Sequence, residues 1–225
     1  MDIPNAFELD HLFVCCEAGA PEAALLRDIG LTEGPANVHP GQGTANRRFF
    51  FHNAMLELLW VDDAVEAQNT RTRPTHLWER WHGRHGDASP FGICLRPRHA
   101  ETATLPFPAW AYEPTYLPAP RVIHMGENSA VIAEPLLFYL AFGQRPDTGG
   151  ARYPMTHAIE LREITALRIQ GPQQAPLSPA LQAMVQSGMM TWSAGAQHHL
   201  EIGFDGETRG KVIDFRPVLP LSLCW

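Results

Sequence analysis

The sequence predicts an α+β fold in which two strand–helix–strand units flank a proline-rich insertion. Three observations lead there. The chain opens with an alternating strand pattern, a short apolar-striped helix and two further strands. The same element order returns, more loosely, in the last third. Between them, Thr104 to Pro120 holds five prolines (Pro106, Pro108, Pro114, Pro118 and Pro120), which forbid a regular helix and suit an extended, wrapping segment.

The first strand is Phe7–Cys16 (FELDHLFVCC). Strict alternation puts Leu9, His11, Phe13 and Cys15 on one face and Leu12 and Val14 on the other. Pro21 suits a first helical position and Glu22 the first turn; Ala24, Leu25, Leu26 and Ile29 form an apolar stripe, and Gly30 supplies a left-handed stop. That stripe is expected to cover the Leu12/Val14 face. Arg47–His52 (RRFFFH) and Met55–Val61 (MLELLWV) read as an antiparallel hairpin, with Asn53–Ala54 as its turn and Asn53 tolerating positive φ. In the second of these, Glu57 shares a face with Met55, Leu59 and Val61. A carboxylate in so apolar a strand needs a partner or water.

Asp62–Ser89 is polar apart from a short helix that Thr75 caps and Leu77, Trp78 and Trp81 anchor. Strands are expected at Pro90–Pro97, Arg121–Met125, Ser129–Ala133 and Leu136–Phe142. In the last third, ITALRI reads as a strand, Ser178 caps a helix that Gly188 stops, and QHHLEIGF and GKVIDF pair through a turn at Asp205–Gly206. The expected organisation is a first βαβββ module over residues 1–65, an insertion with additional strands over 66–156, and a second, looser βαβ-type module over 157–225, together one compact unit.

The chain has 225 residues, 45% hydrophobic and 18% charged, the balance of a folded protein. Its formal net charge is −7, and no basic run exceeds Arg47–Arg48, so neither nucleic acid nor an anionic membrane surface is the expected partner. A small-molecule ligand is, and a homodimer is compatible with the composition. The opening MDIPNAFELD has none of the charge pattern of a secretory leader, and stretches such as Val131–Phe142 are too short to span a bilayer. The four cysteines form no CxxC pair, which fits a reducing, cytoplasmic setting. There is no GxSxG elbow for nucleophilic hydrolysis, and Gly41–Gly43 lacks the lysine and helix of a phosphate loop.

LDHLFV (Leu9–Val14), the helix ending at Ile29–Gly30–Leu31, HPGQGTAN (His39–Asn46) and NRRFFFHNAMLELLWV (Asn46–Val61) together resemble the glyoxalase-like, or vicinal-oxygen-chelate, superfamily, and within it the glyoxalase-like subgroup carrying an H-x-G-x-G-T-x-N segment. The resemblance implies paired βαβββ modules whose mostly antiparallel sheet curves around a cavity. In metal-dependent relatives, a His of the first strand and a Glu of the last strand of a module point inward; the matching residues are His11 and Glu57. It implies an enzyme of isomerase, lyase or ring-opening type acting on a small oxygenated molecule, with a divalent cation such as Zn, Fe, Ni or Mn. The alternative is a metal-free protein that sequesters a small compound in the same cavity.

The second half departs from that pattern. If PFGICLRP begins the second module, the ligand position falls at Pro90–Gly92; if ITALRI does, it falls near Thr165. His124, His157, His198, His199, Glu201 and Asp214 remain as other donors, and spacing selects none of them. The expectation is therefore that no firmly bound catalytic metal is present and that His11 and Glu57 anchor a ligand, joined by Gln42, Thr44, Asn46 and Arg48 at the cavity mouth. His82–His85 (HxxH) reads as a surface pair, and Trp110, Tyr112 and Tyr116 as either a ligand-stacking wall or a core lid.

Overall fold

The computed structural model describes residues 6–99, 104–148, 152–172 and 176–225. Strand β1 (Phe7–Cys15) leads into helix α1 (Ala23–Asp28), then β2 (Asn37–His39), β3 (Thr44–Phe50) and β4 (Met55–Val61). Short helices α2 (Ala64–Ala67) and α3 (Leu77–His82) follow. Strands β5 (Phe91–Pro97), β6 (Ala109–Tyr112), β7 (Ile123–Gly126) and β8 (Leu136–Tyr139) complete one eight-stranded, strongly curled sheet. Its order is β2-β3-β4-β1-β5-β8-β7-β6. β1 pairs parallel with β4, and β5 parallel with β8; every other neighbouring pair is antiparallel.

That order is two four-stranded halves joined along β1 and β5. The second half is thus built from residues 91–139, inside the stretch the sequence suggested was an insertion, and not from 157–225. The proline-rich stretch hides it. Only Ala109–Tyr112 is strand there, an edge strand, where lost backbone donors cost least. Ser129–Ala133 is also not a strand: Glu127–Ala130 is a 3-10 turn.

The last third forms a separate five-stranded sheet, β10-β9-β11-β13-β12, from β9 (Ile164–Gly171), β10 (Thr191–Ala194), β11 (His199–Phe204), β12 (Val212–Asp214) and β13 (Leu221–Cys224). Helix α4 (Pro179–Gln186) connects β9 to β10, and its Ser178 cap accepts the Leu181 amide as the sequence implied. Leu167, Ile169, Leu200, Ile202, Leu221 and Leu223 share one core with Leu12, Val14, Leu56 and Ile93. The second sheet therefore covers the convex face of the first. Each such leucine or isoleucine contributes roughly 1.5–3 kcal/mol of apolar burial.

Ala23 and Leu26 of α1 join the same core, so this helix lies on the face opposite His11. It is shorter than the pattern suggested, and Glu22 accepts the Glu17 amide at 3.0 Å instead of sitting in its first turn. Asn53 has no positive φ. Its side chain instead donates to the Ile164 carbonyl at 2.7 Å and accepts the Ile164 amide at 2.9 Å, clipping the β3–β4 turn to the second sheet.

β1 does not alternate strictly. Leu9 is opposite Leu95 while His11 is opposite Cys94, so Asp10 is one extra residue against β5, a bulge. Leu9 consequently packs with Leu12 and Val14 in the convex core, not on the His11 face. No helix among the described residues is long and apolar enough to cross a membrane.

Candidate functional site

The concave face encloses a cavity of ≈ 170 Å³. Its polar end comes from the first half-sheet: His11 on β1, Glu57 on β4, His39 at the end of β2 and Gln42 in the turn before β3. The facing wall comes from the second half and is apolar, with Ile123, Met125, Leu136, Phe138 and Leu140. Tyr112 and Tyr116, both from the proline-rich stretch, close another side, whereas the Trp110 indole turns away to donate to Ser129 at 3.3 Å.

Glu57 is 6% exposed and has no hydrogen-bond partner among the described residues. It stands opposite Phe13 on β1 and opposite Arg48 on β3. His11 stands opposite Met55, so His11 and Glu57 are diagonal neighbours on adjoining strands. The bulge brings Asp10 to the same side, where its Oδ1 lies 2.6 Å from His11 Nδ1 and orients the ring. Asp10 is in turn held by Arg96 at 3.4 Å, and Arg96 also donates to Glu8 at 3.0 Å and to the Asn53 carbonyl at 2.7 Å.

Burial opposes a charge on His11, but the Cys94 sulfur, the Glu57 carboxylate and the Asp10 hydrogen bond outweigh it. The imidazole is held well above its usual range. Cys94 itself is pushed up to about 12 by burial, against the pull of His11. His39 goes the other way. Burial lowers it, only partly offset by Glu57, and His11 lowers it further.

His39 Nδ1 lies 2.9 Å from Thr44 Oγ1, Nε2 accepts from Asn37 at 3.1 Å, and its ring lies against Tyr116 at 4.9 Å. Gln42 donates to Thr44 at 2.8 Å and accepts the Tyr116 hydroxyl at 3.4 Å. A polar chain therefore runs from His39 through Thr44 and Gln42 to Tyr116.

Of the residues expected at the site, His11, Glu57 and Gln42 line the cavity. Thr44 supports His39 from behind. Asn46 is fully buried and does not line the cavity; its Oδ1 accepts the Asn37 amide at 3.1 Å. Arg48 lies outside it, donating through Nε to the Pro35 carbonyl at 2.7 Å. None of the further donors weighed from the second half of the chain reaches the cavity. His157 bridges the Thr32 amide and Phe50 carbonyl, His198 meets the Asp87 carbonyl, and His199 meets Ser222. His82 stacks on Trp78, and His85 meets Glu17.

Asp10 and His39 were not legible as site residues, whereas Tyr116 was weighed as part of a ligand-stacking wall or a core lid. Asp10 carried a signal all the same: two polar residues in succession between Leu9 and Leu12 break the alternation, as a bulge does.

Among the described residues, the one group of three donors with atoms within 4.8 Å of one another is Asp10, His11 and Cys94. There Asp10 is also shared between His11 and Arg96, and burial pushes the Cys94 thiol up to about 12. Among the described residues, the second half-sheet places no histidine or carboxylate in the cavity lining. Glu57 is opposite the residue two beyond His11; the same step from Gly92 leads to Cys94, whose partner on β8 is Phe138. Gly92 and Phe138 offer no ligand atom there, and a Cβ on Gly92 would lie 2.1 Å from the Phe13 ring.

The model of a family described as a glyoxalase-like domain matches residues 9–185. The chain belongs to the glyoxalase-like domain family. The match spans both half-sheets and reaches into α4, so in this glyoxalase-like domain the paired modules are the familial part, while most of the C-terminal sheet lies beyond it. Among solved structures, the chain is similar to a hypothetical protein from Staphylococcus aureus, with 10% identity, 96% of this chain and 98% of that chain covered, and a TM-score of 0.49. No curated protein matches the chain.

Proposed function

We propose that the cavity binds a small molecule with an apolar body and an oxygen-bearing end, and that Glu57 and His11 move a proton on it. The observation that carries this reading is Glu57: a buried carboxylate with no hydrogen bond among the described residues, facing a cavity beside an imidazole of raised proton affinity. An unpaired buried carboxylate is costly, so a site that keeps one uses it on what enters. Glu57 takes a proton from a carbon next to a carbonyl. His11, protonated and oriented by Asp10 through Nδ1, donates from Nε2 to the carbonyl oxygen as negative charge develops there. On an α-hydroxyketone, the hydroxyl of the deprotonated carbon then gives its proton back to His11 as the new carbonyl forms, and Glu57 returns its proton to the former carbonyl carbon, which gives an isomerase. The second half-sheet excludes water and holds the apolar body.

The alternative is sequestration of the same kind of molecule without chemistry, and the wholly apolar second wall favours it. α-Hydroxyacetophenone, incubated with the protein in deuterated buffer, separates the two. Loss of its carbon-bound proton signal faster than in buffer, falling at least about 100-fold in Glu57→Gln, is expected for general-base catalysis. Binding with no exchange would assign the cavity to sequestration. Absence of binding would reject both.

A further inference from the structure

A second, more polar pocket of ≈ 410 Å³ opens beside the cavity, and Phe142 lines both. It carries three guanidinium groups, Arg48, Arg121 and Arg145. Their partners differ. Arg145 is neutralised by Asp147 and Glu163, each at 2.9 Å. Arg48 and Arg121 have no carboxylate partner among the described residues. Both lie over aromatic rings, Arg48 half-buried and Arg121 exposed. Arg48 lies 5.2 Å over the Phe50 ring and donates to the Pro35 carbonyl, and Phe50 is itself stacked on Tyr153 at 4.0 Å. Arg121 lies 5.0 Å over the Phe142 ring. The acid in this pocket, Asp10, is committed to His11 and Arg96. In a chain of net charge −7, two arginines left without acids among the described residues at one pocket are a local reversal of sign.

The register connects this pocket to the reacting groups. Arg48 is opposite Glu57 on β4, and Phe50 is opposite Met55, so Arg48, Phe50 and Met55 continue the face that carries Glu57. A molecule whose apolar part fills the cavity and whose chain passes Phe142 reaches the arginines with its far end.

Resting on the reading that the cavity holds a small molecule, we infer that the ligand is an anion: an apolar body bearing a carboxylate or phosphate group, which Arg48 and Arg121 bind in the outer pocket. Guanidinium groups pair with either oxyanion through paired N–H bonds, and charge-assisted bonds of this kind are about twice as strong as neutral ones. The neutral cavity walls then select the body, and the arginines select the tail.

Three probes of one shape test this: phenylbutyrate, phenethyl phosphate and the neutral phenylbutanol, each titrated calorimetrically into the full chain. Wild type is expected to bind at least one anion about 10-fold or more tighter than the alcohol, with the preference shrinking as salt is raised. The better anion identifies the tail as carboxylate or phosphate. Arg48→Gln with Arg121→Gln is expected to abolish the preference while leaving alcohol affinity unchanged. Leu140→Trp, which fills the cavity, is expected to abolish binding of all three. Equal affinity for acid and alcohol, or a preference that survives the double variant, would overturn the anionic tail and leave the cavity reading standing. An arginine-dependent preference that survives Leu140→Trp would instead overturn the cavity reading. No binding by any probe at millimolar concentration overturns both.

Discussion

The two halves of the curled sheet have the same strand order and opposite inner chemistry. The first places His11, Glu57, His39 and Gln42 on the concave face; the second places Ile123, Met125, Leu136, Phe138 and Leu140 there. Opposite Phe13 in one half stands Glu57, whereas opposite Cys94 in the other stands Phe138. The shared frame accounts for the cavity, and the difference accounts for its polarity. A duplicated scaffold can keep its packing while one copy gives up its donors, because the convex core beneath both halves does not depend on what lines the concave side.

Changes on the apolar half are expected to cost folding most. Phe138→Ala removes a ring that is packed at 6.0 Å from Phe13 and 5.2 Å from His11, and should lower unfolding free energy by about 3–5 kcal/mol in urea titrations. A loss under about 1 kcal/mol would show that this wall is not packed. Gly92→Ala should cost less, about 1–3 kcal/mol, as the Phe13 ring is forced aside. Tolerance of alanine without loss would mean that Phe13 moves freely and the two halves are less distinct than drawn.

The polar half should respond in the opposite sense. Glu57→Leu removes a buried carboxylate that lacks a hydrogen bond and should leave stability unchanged or raise it by about 1 kcal/mol, while ending proton exchange on α-hydroxyacetophenone. Clear destabilisation would mark Glu57 as a structural group.

The smallest effect is on titration. His11, raised above its unfolded value, contributes stability that is complete below about pH 6.5 and is lost as pH rises through its folded value. His39, lowered by burial, contributes stability present above that pH and lost as pH falls through its depressed value. Imidazole proton spectra should therefore show the two rings titrating on opposite sides of the ordinary range. Glu57→Gln should bring both down, since the carboxylate raises each. An unmoved His11 in that variant would separate it from Glu57.

Much of the first half was legible because local signals and tertiary packing agree there. Alternating apolar residues, the α1 stripe and the His39–Asn46 segment lie within sixty residues of one another. The inward direction of His11 and Glu57 follows from parity over the few residues on either side of each. The second half was misplaced because its strands are four to seven residues long and separated by proline-rich chain, so no periodic window is long enough to register them. β13 was missed outright. LSLC is four residues long and directly follows a proline, too short a window to register as a strand. At the site, Asn46 reads as a ligand donor in sequence, yet it serves the backbone of the adjoining strand. Nothing local distinguishes a polar side chain that lines a cavity from one that satisfies an amide beside it.

The bulge at Asp10 makes the site depend on chain length as well as residue identity. Removing that one codon would restore regular alternation along β1, and the strand could keep its apolar layer only by giving up the inward imidazole, or keep the imidazole only by driving Leu9 out of the core. Substitution at position 10 weakens the orientation of one ring; a single-residue deletion there forces a choice between folding and function. Descendants of this chain can lose the dyad in one step by a length change, and an equally small insertion is what a chain without it would need to acquire it.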